Sequence, residues 1–282
     1  MRVSMKEKSE TETVTEFETR LDPEATTNEI TSFIRSYVED AGADGVVVGL
    51  SGGIDSTVAA TVAVEALGSE RVLGLVLPTE STRESNTEDA VEVAESLGIN
   101  YEMIDLQPVV DSFTDAMGRL DEADDNDKNK KAVGNSKARL RMTSLYYVAN
   151  ARDLLVLGTG NRTELLLGYF TKYGDGGVDI LPLGSLYKTE VRELARHVGV
   201  PDRIVEKTPT AGLWEGQTDE TELGAPYETV DEILRLMVSS DVDLDDSEIA
   251  ESIDTDVDTE TVSGLRRMYE SAEHKRVPLP MP

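Results

Sequence analysis

Gly45-Val46-Val47-Val48-Gly49-Leu50-Ser51-Gly52-Gly53-Ile54-Asp55-Ser56 is the stretch on which the reading of this chain turns. Val46 to Val48 is β-branched without a polar position, the mark of a parallel strand covered on both faces. Thr57 to Leu67 then reads as a helix. Between them the paired glycines let the backbone come close to a ligand. Ser51 and Ser56 offer hydroxyls, and the free N–H groups of the helix start attract an anion. Strand, glycine loop and helix in that order make a phosphate cradle. The plainer alternative is a βα turn capped by Asp55 and Ser56.

No lysine follows the last glycine, so this is not a Walker A loop, and the glycine spacing is not that of GxGxxG. Ser51-Gly52-Gly53-Ile54-Asp55-Ser56 instead resembles the SGGxDS signature of the ATP pyrophosphatases. That resemblance implies a loop holding the β,γ-pyrophosphate of ATP while the α-phosphate is attacked. It also implies that Asp55, the loop's one carboxylate, helps hold Mg2+ as a hard oxygen ligand.

The 282 residues, 39% of them apolar, suffice for one large α/β domain or two small ones, and we read residues 21–282 as a single domain. Residues 1–20 are acidic, polar and poor in large apolar side chains; they are expected to lack fixed structure, with Met5 an alternative start to Met1. No apolar run approaches membrane-spanning length and no signal core opens the chain, so a cytoplasmic location is expected. Cysteine is absent, which excludes disulfides, cysteine-bound metals and thiol nucleophiles within these residues. The formal charge is −29, from 27 basic and 56 acidic side chains, and argues against nucleic acid or anionic membrane as a partner. Lysine is scarce, 10 against 17 arginines. Acid in such excess points to a halophilic protein, in which molar salt screens the self-repulsion.

Leu21 to Gly42 carries Ile30, Phe33, Ile34, Tyr37 and Val38 at helical spacing. Arg71 to Pro78 and Tyr101 to Asp105 read as further strands, with a helix from Asn86 to Leu97, and another strand opens at Asp153 and ends at Thr159. Strands alternating with helices predict a doubly wound parallel sheet flanked by helices, with ligands at the carboxyl ends of the strands. Helices are also expected over Thr229 to Ser239, Asp246 to Ile253 and Asp258 to His274. The charge-dense run Asp121 to Lys131 reads as an exposed loop or helix end.

Thr79 to Arg83, at the end of the second strand, sits where an adenine or ribose could be covered. Lys137-Ala138-Arg139-Leu140-Arg141 gathers three cations in a very acidic chain, and Arg139 suits a bidentate grip on phosphate or carboxylate. Asp153 to Glu164 is a second strand-to-helix transition with a polar tip, with Thr159 at the strand end and Glu164 in the first helical turn. Gly168 to Asp179, with four glycines, is too long and chemically mixed for a tight turn and reads as a binding loop. Lys188 falls in the opening turn of a helix, where a cation opposes the dipole; a bound phosphate would resolve that conflict. Pro209 to Glu220 carries the one tryptophan, Trp214, and reads as a lid.

Together the Ser51 to Ser56 loop, Lys137-Ala138-Arg139, Gly158-Thr159-Gly160, Phe170 to Gly177, Lys207 to Thr210 and Glu273-His274-Lys275-Arg276 resemble the ammonia-dependent NAD synthetase family, from about Ala25 to Pro280. The resemblance implies a Rossmann-like fold of the adenine nucleotide α-hydrolase type, a homodimer and two chemical steps. Deamido-NAD is adenylated by ATP with loss of pyrophosphate, and ammonia then displaces AMP to give NAD. It further implies that Gly49, Leu50, Ser51, Gly52, Gly53, Ile54, Asp55, Ser56, Thr159, Lys188 and Thr210 bind ATP, with Asp55 and Lys188 catalytic. Asp55 and Glu164 would hold Mg2+, and Arg139, Lys172, Asp179, His274 and Lys275 would hold deamido-NAD. Ile54 departs from the family's frequent glutamine, and the acidic segment after Asp121 is locally elaborated.

The nearest rivals are other ATP pyrophosphatases: GMP, asparagine and argininosuccinate synthetases and the tRNA-modifying enzymes. A cysteine-dependent glutaminase has no nucleophile in these residues, so nitrogen is expected as free ammonia or from a separate partner. A different class of rival resembles the universal stress proteins, which hold ATP without turning it over.

Overall fold

The computed structural model describes residues 21–118, 126–210, 212–214, 216–239, 244–253, 255, 257–277 and 281. The expectations for residues 1–20 and for Asp121 to Asp125 lie outside them. Four strands, β1 (Gly45–Gly49), β2 (Val72–Val76), β3 (Asn100–Met103) and β4 (Leu154–Leu157), form one sheet in the order β3-β2-β1-β4. Every pairing is parallel, with Val47 beside both Leu73 and Val156. The helices in chain order are α1 (Pro23–Ala41), α2 (Ile54–Leu67), α3 (Glu84–Ser96), α4 (Gln107–Met117), α5 (Asn126–Ala151), α6 (Arg162–Leu167) and α7 (Lys188–His197). They continue with α8 (Asp202–Val205), α9 (Asp219–Leu223), α10 (Tyr227–Val238), α11 (Asp246–Ser252), α12 (Thr259–Ser271) and α13 (Glu273–Arg276).

The period of two along each strand sorts the core. Val46, Val48, Val72 and Val76 pack with α1, α2, α3 and α7, whereas Val47, Leu73, Leu75 and Val156 pack with Met142, Leu145 and Ala149 of α5. Helix α2 is apolar nearly all round because it is covered on nearly all sides. Helix α1 starts where Asp22 accepts a hydrogen bond from the Ala25 N–H at 3.1 Å and Pro23 opens the first turn; it stops at the left-handed Gly42. A second cluster, built on Tyr227, Ile233, Leu234, Ile249 and Leu265, packs α10, α11 and α12 against Leu167 of α6.

Helices α2 and α3 carry the chain along one face from β1 to β3. Helix α5 then crosses the other face and delivers β4 to the free side of β1. The strand order therefore reverses between β1 and β4, and a crevice opens beyond their carboxyl ends. This is the doubly wound sheet that the sequence predicts. Asn126 to Lys131 turns out to be the first turns of α5, so the charge-dense run ends in helix.

Candidate active site

β1 delivers the chain into Leu50-Ser51-Gly52-Gly53, and the turn is made at Gly52. Its φ of +71° is left-handed, and a Cβ there would lie 2.1 Å from the carbonyl oxygen of Asn86, so the position needs glycine on both counts. The Ser51 N–H donates to Ser56 Oγ at 3.3 Å, the Gly53 N–H donates to Ser51 Oγ at 3.3 Å, and the two hydroxyls stand 3.1 Å apart. From across the crevice Lys207 Nζ donates to the Gly52 carbonyl at 3.0 Å and pairs with Asp89. With Ser56 Oγ also donating to the Gly53 carbonyl at 3.1 Å, the loop is a ring closed by its own hydrogen bonds.

Asp55 opens α2 and faces two partners: Lys188 Nζ donates to its Oδ2, and Asn161 Nδ2 donates to its Oδ1 at 3.0 Å. Glu164 stands on the far side of the same lysine, with Oε1 4.0 Å from Lys188 Nζ. Its other oxygen accepts the Asn161 N–H at 3.2 Å while Asn161 Oδ1 accepts the Glu164 N–H at 3.0 Å, the capping box that starts α6. Burial, and then the charge of Asp55, push the Glu164 carboxyl up to about 8, against the pull of Lys188. Burial also works against the ammonium of Lys188, a residue 2% exposed, but Asp55 and Glu164 together outweigh it and raise its pKa. The conflict at the start of α7 is resolved within the protein: Thr163 Oγ1 accepts the Lys188 N–H at 3.0 Å and Asp231 Oδ2 accepts the Thr189 N–H at 2.8 Å. A carboxylate from α10 stands where the sequence suggested a bound phosphate.

The second group of cations is held differently. Arg139 Nε donates to the Lys172 carbonyl at 3.3 Å, and Lys172 Nζ donates to the His274 carbonyl at 2.6 Å. Lys275 Nζ donates to the carbonyls of Gly168 and Phe170 at 2.6 and 2.7 Å and lies 5.0 Å from the Phe170 ring centre. Helix α5, the glycine-rich loop after α6 and helix α13 are thus joined, and burial lowers the pKa of Lys275. A cleft of about 1150 Å³ connects this group to the loop after β1. Thr159, Thr210, Arg139, Lys172, His274 and Lys275 line it together with Ser51, Asp55, Glu164 and Lys188.

Asp179 is not on that lining. Its Oδ2 accepts the Val156 N–H at 2.8 Å and its Oδ1 accepts the Tyr146 hydroxyl at 3.0 Å, which ties it to the edge strand β4. Burial, with this bond, pushes the Tyr146 hydroxyl up to about 12. Thr210 Oγ1 donates to the Gln217 carbonyl at 2.8 Å, so the expected lid is folded on itself, and Lys137 Nζ reaches its Leu213 carbonyl at 3.4 Å. Sequence reasoning missed Asn161, Asp219 and Tyr227, which surround Asp55, Glu164 and Lys188, and missed Lys207 as the clamp on the loop.

Residues 26–279 match the family model described as NAD synthase. The NH(3)-dependent NAD(+) synthetase of Methanococcoides burtonii is 53% identical over 64% of this chain and 66% of its own length, just under two thirds. That of Methanosarcina acetivorans is 48% identical over 78% of this chain and 82% of its own. Among solved structures, the NMN synthetase of Francisella tularensis superposes with a TM-score of 0.80 at 34% identity, covering 93% of this chain and 99% of that one. With the glycine loop, the paired carboxylates and the cation group in one cleft, these matches settle the family: the chain belongs to the NAD synthases.

Proposed function

We propose that this chain makes the amide of NAD from deamido-NAD, ATP and ammonia. A nicotinate carboxylate oxygen attacks the α-phosphorus, forming the acyl–phosphate bond and breaking the bond to the departing pyrophosphate. Ammonia's nitrogen then attacks the acyl carbon, and AMP leaves with that oxygen while one proton is shed. ATP is needed because a free carboxylate is a poor acyl donor. The observation that carries the reading is the Ser51 to Ser56 ring at the β1/β4 switch point in a chain of this family. Catalysis here is positioning and charge neutralisation, with no nucleophile asked of the protein.

In this reading Gly49 to Ser56, Thr159, Lys188 and Thr210 hold ATP, and Arg139, Lys172, His274 and Lys275 hold the dinucleotide; the cleft that all of them but Gly52 line supports it. Asp179 is kept as a dinucleotide residue, acting from the edge of the sheet. The Asp55 and Glu164 carboxylates fit Mg2+: Glu164 is raised by burial and then by the charge of Asp55, a pair that a divalent cation would relieve, and Mg2+ takes one or two carboxylates with substrate phosphates. When bound, Mg2+ supplies charge neutralisation on the phosphates. Lys188 holds both carboxylates in register and stays charged beside the departing pyrophosphate.

We read residues 21–282 as one working unit acting as a homodimer, in which Phe33 and Tyr37 of α1 and Tyr147 of α5, all exposed, would be covered. Among the described residues no helix is long and apolar enough to cross a membrane, which suits a cytoplasmic reading. The test is to supply ATP, Mg2+ and ammonium with deamido-NAD, its mononucleotide acid or xanthosine monophosphate, and to identify products by mass. NAD is expected. Preference for the mononucleotide would move the substrate to that of the Francisella enzyme's name, and GMP or no amide would overturn the proposal.

A further inference from the structure

The lid and the dinucleotide loop meet at one buried carboxylate, Asp219, for which the catalytic steps above have no use. Its backbone N–H donates to the Pro209 carbonyl at 3.1 Å, closing the base of the 209–218 segment. Its side chain, 4% exposed, accepts the Tyr227 hydroxyl at 2.9 Å and the Tyr169 hydroxyl at 3.2 Å. Tyr169 is the residue that leads α6 into Phe170-Thr171-Lys172. The same hydroxyl meets Glu222, one turn further along α9, so one hydroxyl hydrogen stands between two carboxylates of one helix face. Glu222 in turn accepts from Gln217 Nε2 at 3.1 Å, and Gln217 Oε1 accepts the Leu213 N–H at 2.8 Å. The Gln217 carbonyl also takes the Thr210 hydroxyl.

Hydrogen bonds therefore run from Thr210 and Leu213 through Gln217 and Glu222 to the Tyr169 hydroxyl, which Asp219 also accepts, while the Asp219 N–H ties the same hydroxyl's second acceptor to Pro209 at the start of the lid. A buried carboxylate is costly unless its partners stay in place, so the two loops are not free to move apart without loss. We propose that Asp219 is a positioning residue that makes the lid and the dinucleotide loop move as one, so that filling the ATP site tightens the acid site and the reverse. This rests on the functional reading above. The linkage is reciprocal by thermodynamic necessity. Its purpose is order of events: ATP is committed when its acceptor is in place.

The test uses α,β-methylene-ATP with Mg2+, which cannot be adenylyl donor, and deamido-NAD, with affinities measured by calorimetry singly and together. In the unmutated protein each ligand should tighten the other by about 5- to 30-fold. Tyr169→Phe keeps the ring and removes the shared hydroxyl, and should bring that ratio below about 2-fold while the thermal midpoint stays within a few degrees. Asp219→Asn, as a second variant, should weaken the linkage in the same direction. An unchanged ratio in Tyr169→Phe, or weakening of both ligands with the ratio preserved, would show a merely structural contact and overturn the inference. Two ligands binding the unmutated protein without linkage would overturn it while leaving the function intact. Failure of deamido-NAD to bind at all would remove the function and this inference with it.

Discussion

The two ends of the cleft are built on opposite plans. At the β1 end the groups are held by one another: Ser51 and Ser56 bond one another, the buried Lys188 is enclosed by carboxylates, and Gly52 admits no side chain. At the other end the cations are long, drawn from α5, a glycine-rich loop and α13, and their hydrogen bonds go to carbonyl oxygens. A carbonyl partner carries no full charge, so an incoming phosphate or carboxylate can replace it at little electrostatic cost. The first plan suits a pyrophosphate that must be met in one geometry, and the second suits a large dinucleotide admitted by adjustment.

The contrast predicts unequal penalties. Asp55→Asn at the rigid end should lower kcat by about 10²- to 10³-fold, with an unfolding midpoint showing that the fold survives. Near-normal turnover would remove Asp55 from the metal role. Arg139→Lys at the adaptable end should raise the KM for deamido-NAD by about 10-fold and leave the KM for ATP unchanged, since a point charge replaces a fork. Equal effects on both substrates would erase the distinction between the ends.

Acidity provides a finer test. Glu164 titrates near 4.5 when unfolded and about 8 in the folded protein, so the folded state holds the extra proton between those values. The stability it contributes is fully present below about 4.5 and is lost as pH rises through about 8. A cation at Asp55 and Glu164 must displace that proton, so Mg2+ with ATP should raise the thermal midpoint more at pH 8.5 than at pH 6.5, by about 2–4 °C. An equal gain at both pH values would show that Glu164 is not a ligand. The smallest effect concerns the surface: with a net charge of −29, the midpoint should climb by about a few degrees between low and molar KCl, in keeping with the halophilic reading. A flat response would contradict it.

What the sequence discloses follows the same division. The strand, loop and helix around Ser51 are legible because the whole signal lies within the unbroken run Gly45 to Leu67, and the parallel sheet follows from the spacing of such units. The support of the site is not legible. Asn161 reaches Asp55, Asp231 reaches the start of α7 and Asp219 reaches Tyr169 across long separations in the chain, and no local pattern announces these partners. In a chain with 56 acidic side chains, Asp219 is legible only as part of the lid from Pro209 to Glu220, with nothing local to mark it as buried. Its burial is a product of tertiary packing alone. Asp179 is the converse case: the motif names it, and its hydrogen bonds to the Val156 N–H and the Tyr146 hydroxyl could not be read from the sequence.

The central claim is that the acid is primed by joining it to AMP, with pyrophosphate departing from the Ser51 to Ser56 ring. It is tested most directly with deamido-NAD labelled by oxygen-18 in the nicotinate carboxylate, ammonium, ATP and Mg2+, followed by mass analysis of every product. The account predicts that AMP leaves with one labelled oxygen and pyrophosphate with none. Label in free phosphate with ADP as product, or unlabelled AMP, would contradict it.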